Sequence, residues 1–280
     1  LAACGRSDSI IVGSKNFSES ILLGEIVAQQ LERHGLPVER KFNLGGFLCH
    51  EGMLTGQLDT YVEYTGTAYA AVLKLPPERD PVRVRQAVDS IYRERFGIVW
   101  TEDLGFENTF AILVRRRDAE RLGLKTISDA APHMRRWRAV FGYEFTERAD
   151  GFRALAEAYG ITMERQPINM ELGLVYRALA DGVADFSSGN STDGQIAALD
   201  LVILEDDKRF FPPYHAAPVV RAETLERYPQ VREALRALGG RLDGETMRRL
   251  NLLVDVEQRP VTEVAREFLA GVPTADAGRR

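Results

Sequence analysis

The sequence predicts an α/β fold arranged as two lobes, and three observations carry that expectation. Short apolar runs alternate with stretches of helical periodicity along the whole 280-residue chain, the pattern of strands covered by helices. That length suits two domains of roughly 100–150 residues, each with its own core. No repeat or low-complexity linker divides the chain, which suggests discontinuous domains, one inserted into the other through two crossover segments.

The elements follow in order. Residues 9–13 (SIIVG) form an apolar run that reads as a buried strand. Ile21, Leu22, Ile26, Val27 and Leu31 recur at helical spacing and predict a helix over 18–34, which His34 closes as a cation at the carbonyl end. Strands are expected at 38–44 and 60–64, and a helix at 83–96. Residues 108–114 (NTFAILV), 138–142 and 183–187 read as strands, with helices at 152–159 and 172–180. A strand at 201–204 precedes the Pro212-Pro213 punctuation and another strand at 216–220. The rest, to about residue 269, is helical, and residues 270–280 form a tail. The segments 108–114 and 214–220 bracket a middle stretch of domain size and are the candidate crossovers.

Composition excludes several functions. There are 36 Lys+Arg against 41 Asp+Glu, a formal charge of −5 with no basic block, so nucleic acid is not an expected partner. No apolar run approaches the ~20 residues of a spanning helix. There is no phosphate-binding glycine loop, dinucleotide fingerprint or nucleophile elbow. The four histidines, His34, His50, His133 and His215, stand far apart, and Cys4 and Cys49 have no zinc-type spacing. No metal, no cofactor and no enzymatic activity are expected. Asp206-Asp207 reads as part of a solvated loop. The opening Leu1-Ala2-Ala3-Cys4-Gly5 looks like the lipobox of a bacterial lipoprotein, with Cys4 as the lipidated residue and the protein held outside the cytoplasm. A Cys4–Cys49 bridge is the lesser alternative.

Several loops carry candidate chemistry. In Gly13-Ser14-Lys15-Asn16-Phe17-Ser18-Glu19, Asn16 and Glu19 have capping-box spacing; a helix start beside Lys15, one of five lysines, suits an anion. Such loops lie beyond strand carboxyl ends, where open α/β sheets bind ligands. Glu63-Tyr64-Thr65-Gly66-Thr67 repeats the logic, with Thr65 or Thr67 as hydroxyl donors. Gly105-Phe106-Glu107-Asn108-Thr109-Phe110 and Pro212-Pro213-Tyr214-His215 enter the two crossovers. Phe145-Thr146-Glu147-Arg148-Ala149-Asp150-Gly151 precedes a helix that Asp150 could cap, and Asp185–Gly194 (DFSSGNSTDG) is a strand-to-helix turn.

Taken together, and in this order and spacing, these motifs resemble the binding proteins of ABC importers for osmoprotectants such as glycine betaine, choline and carnitine, over nearly the whole chain. The resemblance implies a type II periplasmic binding protein: two α/β lobes, joined by two crossovers, that close on a ligand by hinge bending. Lobe 1 would comprise residues 9–107 and 215–269, lobe 2 residues 108–214, and residues 1–8 a tether. A quaternary cation cannot donate a hydrogen bond, so aromatic faces must replace its water. Tyr64, Phe110 and Tyr214 fall at positions of that aromatic cage; Lys15, Thr67 and Arg148 fall where the ligand's polar end is held, with Asn16 and Asn108 beside them. One departure stands out: the position before Ser191-Thr192-Asp193-Gly194, often a cage Tyr, is Asn190. The cage is then open on one side or completed by Phe17 or Tyr143, which would suit choline, carnitine or ergothioneine more than plain betaine. The implied partners are a permease and its ATPase, with the membrane reached through Cys4, and the chain is expected to be a monomer. A ligand-sensing domain, and an enzyme using Lys15 and Asp193, are the rival classes.

Overall fold

The computed structural model describes residues 8–45, 47–148 and 151–273. Cys4, Asp150 and the tail from residue 274 on lie outside the described residues. The first lobe opens with β1 (Ile10–Lys15), α1 (Ser18–Arg33), β2 (Val38–Leu44), α2 (Leu48–Thr55), β3 (Thr60–Tyr64), a π-helical turn (Thr67–Val72), α3 (Pro81–Phe96) and β4 (Ile98–Trp100). The chain then crosses to β5 (Phe110–Arg115), α4 (Arg116–Leu122), α5 (Ile127–Met134), β6 (Ala139–Gly142), α6 (Tyr143–Glu147), α7 (Phe152–Tyr159), β7 (Ile168–Met170), α8 (Leu172–Ala180), β8 (Phe186–Asn190), α9 (Gly194–Ala198) and β9 (Leu201–Leu204). It returns through β10 (Ala216–Arg221) and ends in α10 (Ala222–Arg227), α11 (Gln230–Arg236), α12 (Gly244–Asp255) and α13 (Val261–Leu269).

The strands form two five-stranded sheets, β2-β1-β3-β10-β4 and β7-β6-β8-β5-β9. Each is parallel through three strands, and the strand that arrives by the crossover, β10 or β5, runs antiparallel between its neighbours. Helices cover both faces, so alternate residues of a strand feed different cores. Ile10 and Val12 of β1 pack with Leu22, Ile26, Leu235 and Val264, whereas Ile11 packs with Met53, Tyr61 and Tyr92. Ile112 and Val114 of β5 pack with Phe141 and Phe186, whereas Leu113 joins Tyr176 and Leu179.

The two crossovers run side by side. Glu107 and His215 form an antiparallel bridge, and Asn108 N donates to Tyr214 O at 3.1 Å. The strands at 108–114 and 216–220 therefore belong to the sheets, and the crossing itself lies in the residues just before each. His215 Nδ1 stands 3.1 Å from Asp103 Oδ2, and that hydrogen-bonded carboxylate raises the imidazole pKa above its usual 6.5. A third contact links the lobes: α12 rests on the turn after β8, where Asn251 Nδ2 donates to Thr192 O and Arg248 Nη1 to Ser191 O. Gly194 permits this approach, since a Cβ there would lie 2.4 Å from Leu252 N.

Four expectations need correction. β8 begins at Phe186, not 183, because Val183 N and Ala184 N still donate to Ala178 O and finish α8. Asn16 and Glu19 make no capping box: the N-cap of α1 is Phe17, with no side-chain cap bond, and Glu19 is drawn into the interior. Asp206 and Asp207 are not simply solvated. Asp206 accepts from Phe211 N at 2.8 Å and from the Tyr159 hydroxyl, and Asp207 accepts from Ser128, which pins this loop to the second lobe. The helix at 152–159 has Gly151 as its N-cap. Cys49 is a buried free thiol whose pKa burial pushes up to about 12. No described helix is long and apolar enough to cross a membrane.

Candidate ligand-binding site

A cavity of about 330 Å³ lies between the two sheets, at the carboxyl ends of β1, β3 and β8 and beside both crossovers. Eight of the nine residues singled out in the sequence line it: Lys15, Tyr64, Thr67, Asn108, Phe110, Arg148, Asn190 and Tyr214. Asn16 does not; its side chain is exposed outside the cavity, and its neighbours Lys15 and Phe17 face the opening instead. Thr109 also lines the wall and had no signal of its own in the sequence.

On the first lobe, Lys15 ends β1 and pairs with the buried Glu63 carboxylate, with its Nζ 5.3 Å from the Tyr64 ring centroid. Glu63 also accepts from Tyr61 Oη and Tyr64 N, both at 2.8 Å. Three donors thus hold the acid that holds Lys15. The Tyr64 hydroxyl donates to Glu19 Oε1 at 2.6 Å, which fixes the ring, and Phe17 stands 6.2 Å from it at 34°. Glu19 is only 4% exposed. It also accepts from Asn108 Nδ2 of the first crossover at 3.1 Å and from Asn251 Nδ2 of α12 at 2.8 Å, with the Thr192 hydroxyl alongside. Burial raises its pKa above the usual carboxylate value, more than these donors lower it. Glu19 thus joins a ring of the cavity to the crossover, helix α12 and the second lobe's turn. Sequence reasoning assigned it to a cap; the missed signal was its spacing to Leu22, Leu23 and Ile26, which puts it on the buried face of α1.

On the second lobe, Phe110 opens β5 and packs against Phe145 and Phe211, at 5.1 and 6.1 Å between centroids. The Arg148 guanidinium lies 5.3 Å from the Phe110 centroid and donates from Nη2 to Tyr214 Oη at 3.0 Å. Tyr214, from the second crossover, lies against Gly66 so closely that a Cβ at 66 would sit 2.6 Å and 2.7 Å from two ring carbons. Gly66 has helical dihedrals (φ −65°, ψ −39°) that any residue adopts, so it is the Tyr214 ring, with the Pro213 carbonyl oxygen 2.8 Å from the same Cβ position, that demands glycine there. Gly66→Ala is expected to displace Tyr214 and weaken ligand binding by at least about fivefold; titration of the variant with an unchanged affinity would show that Tyr214 is not a wall of the site.

Three aromatic rings, Tyr64, Phe110 and Tyr214, and two cations line the cavity, with Lys15 over Tyr64 and Arg148 over Phe110, a lining that can take a compact cation together with an anionic group. Asn108 Oδ1 and Thr109 Oγ1 are buried without a hydrogen-bond partner among the described residues, as expected where a ligand or ordered water completes the set. Asn190 pairs with Phe110 at the end of β8, and its side chain supplies an amide in place of a ring. Of the two rings proposed to replace a Tyr there, Phe17 lines this cavity, and Tyr143 lines a neighbouring one.

The family described as the substrate binding domain of ABC-type glycine betaine transport systems matches residues 8–271. The chain is 35% identical, over 93% of its length, to the ergothioneine transport permease/ergothioneine binding protein EgtU of Helicobacter pylori, and spans 47% of that longer protein. It is 35% identical to the carnitine transport binding protein OpuCC of Listeria monocytogenes, covering 94% of this chain and 86% of that one. A crystal structure of a glycine betaine/carnitine/choline ABC transporter protein superposes with a TM-score of 0.89 at 31% identity, over 94% of this chain and 98% of that chain.

Proposed function

The chain belongs to the family of substrate-binding domains of ABC-type glycine betaine transport systems, and from that premise we propose that it captures a small quaternary-ammonium compound in the inter-lobe cavity and delivers it to an importer's permease. The observation that carries this reading is the pairing of ring and cation on both walls, Lys15 beside Tyr64 and Arg148 beside Phe110. Ring faces substitute for the water around a trimethylammonium head at roughly 0.5–2 kcal/mol per contact. The adjacent guanidinium donates charge-assisted hydrogen bonds to a carboxylate at the other end. Because Tyr64 and Lys15 sit on one lobe and Phe110 and Arg148 on the other, one ligand touches both, and its binding energy favours closure.

The proposal includes no catalytic step: the protein binds and releases its ligand unchanged. It places the protein outside the cytoplasm as a monomer, tethered through a lipid on Cys4 of the Leu1-Ala2-Ala3-Cys4 motif. Calorimetry against glycine betaine, choline, carnitine and ergothioneine is expected to yield at least one ligand bound at one site with a micromolar or lower dissociation constant, on the order of −8 kcal/mol. Absence of heat across the whole panel would overturn the ligand class.

A further inference from the structure

The turn that follows β8, Asn190 to Gly194, is tied on both flanks. Toward the first crossover, Ser191 N donates to Thr109 O at 2.9 Å, Thr109 N to Ser191 Oγ at 3.1 Å, and Ser191 Oγ to Glu107 O at 3.3 Å. Toward α12, Arg248 Nη1 donates to Ser191 O at 3.0 Å and Asn251 Nδ2 to Thr192 O at 2.8 Å. The turn is also closed on itself. Asp193 N donates to Asn190 O at 3.0 Å, and the Asp193 carboxylate accepts from Gln195 N at 2.9 Å. It therefore moves as one piece with the second lobe's wall, because Asn190 lines the cavity and pairs with Phe110.

The last residue of the turn meets α12 main chain to main chain. A Cβ on Gly194 would stand 2.4 Å from Leu252 N, 2.6 Å from Leu252 Cα and 2.8 Å from the Asn251 carbonyl carbon. The Gly194 backbone lies outside the left-handed region, so this approach alone requires glycine. Main-chain atoms of a packed helix cannot turn aside as a side chain does, so one added methyl must part α9 from α12 by about 1 Å. The helix α12 is fixed to the first lobe: Met247 and Leu250 belong to that lobe's core, and Asn251 Nδ2 also donates to Glu19 Oε2 at 2.8 Å.

We propose that α12 is a positioning helix for ligand capture: its main-chain contact with Gly194 sets the angle between the lobes, and so the fit of the two cavity walls to one ligand. The inference rests on the reading of the inter-lobe cavity as the ligand site. Crossover segments alone leave that angle free, since hinges absorb it as changes of backbone dihedrals. A stop outside the hinge removes the freedom in one direction, and Tyr64 and Lys15 then meet Phe110 and Arg148 at a set separation. Gly194, Arg248 and Leu252 do not line the cavity, so their effect on affinity passes through geometry alone.

The test compares the purified wild type with Gly194→Ala and Arg248→Met. Each is also prepared with spin labels at Leu54→Cys and Val183→Cys, exposed positions on opposite lobes, the Cys49 thiol being buried. In ligand-free protein, Gly194→Ala is expected to shift the distance between labels by at least about 2 Å. It should weaken glycine betaine and choline alike, by at least about tenfold, since both ligands touch both walls. Arg248→Met deletes one tie and keeps the contact, and should weaken both by about two- to fivefold with a smaller shift in the same direction. A purely structural role would lower the melting temperature and leave both readings in place. An unchanged label distance in Gly194→Ala overturns the proposal, and so does a changed distance with unchanged affinities. If Gly194→Ala does not fold, the same two readings on Arg248→Met decide. A wild type that binds none of glycine betaine, choline, carnitine and ergothioneine sinks the ligand class, and the label distance still decides the role of α12.

Discussion

Replacing Arg148 with Met is expected to weaken binding of glycine betaine by about 10- to 150-fold and to leave choline within about threefold. The two ligands share the trimethylammonium head, and only one has a carboxylate. A hydrogen bond to a charged group contributes about 1.5–3 kcal/mol, which sets the range. Lys15 is less suited to supply that term. Its ammonium is already matched to Glu63, which is 2% exposed and held by Tyr61 and Tyr64, so the pair brings little net charge to the cavity. Arg148 brings its guanidinium to the face of Phe110 and to the Tyr214 hydroxyl. In its absence that ring face is open to a cation, which is why choline should not suffer. Paired titrations of the two ligands decide the matter: equal losses for both would mean that Arg148 supports the cage and does not read the carboxylate.

The parts legible in the sequence share one property, that their signal is local. The apolar run of β1 and the 3.6-residue periodicity of α1 lie within single windows, and β3, α7 and α8 match the expected limits. The cavity-lining positions were legible because each sits in a short motif at a strand end or crossover. The elements that escaped notice are short or atypical. Around α2, Phe47, Leu48 and Leu54 are exposed and blur the periodicity; the π-helical turn at Thr67–Val72 has a wider period than an α-helix. For α5 the only local signal is the Thr126–Asp129 capping box, ahead of a helix of eight residues interrupted by Pro132. The spacing of Glu19 on α1 signals its burial, but its partners were not legible, because Tyr64, Asn108 and Asn251 lie 45, 89 and 232 residues away. A capping box at Asn16 competes with that cluster for the same carboxylate. The cluster prevails because several buried donors would otherwise be left unpaired, whereas an exposed helix start is served by water.

That competition makes Glu19 the residue whose loss should cost most. Glu19→Leu orphans the Tyr64 hydroxyl and the Asn108 amide, and deprives the Asn251 amide of one of its two acceptors. Each unsatisfied buried group costs about 1–3 kcal/mol, so a loss of roughly 3–5 kcal/mol in unfolding free energy is expected after partial relaxation. Glu19→Gln retains one acceptor oxygen and should cost less. The pH dependence supplies an independent check, and its sign follows from burial. The folded pKa of Glu19 lies above 4.5, so its contribution to stability is complete below the unfolded value and is lost as pH rises through the folded one. Urea unfolding of the wild type and Glu19→Gln across that window should therefore show the wild type's advantage shrinking as pH rises. An advantage that grows with pH would mean that the donors outweigh desolvation and that the carboxylate, not the acid, is the form the fold prefers.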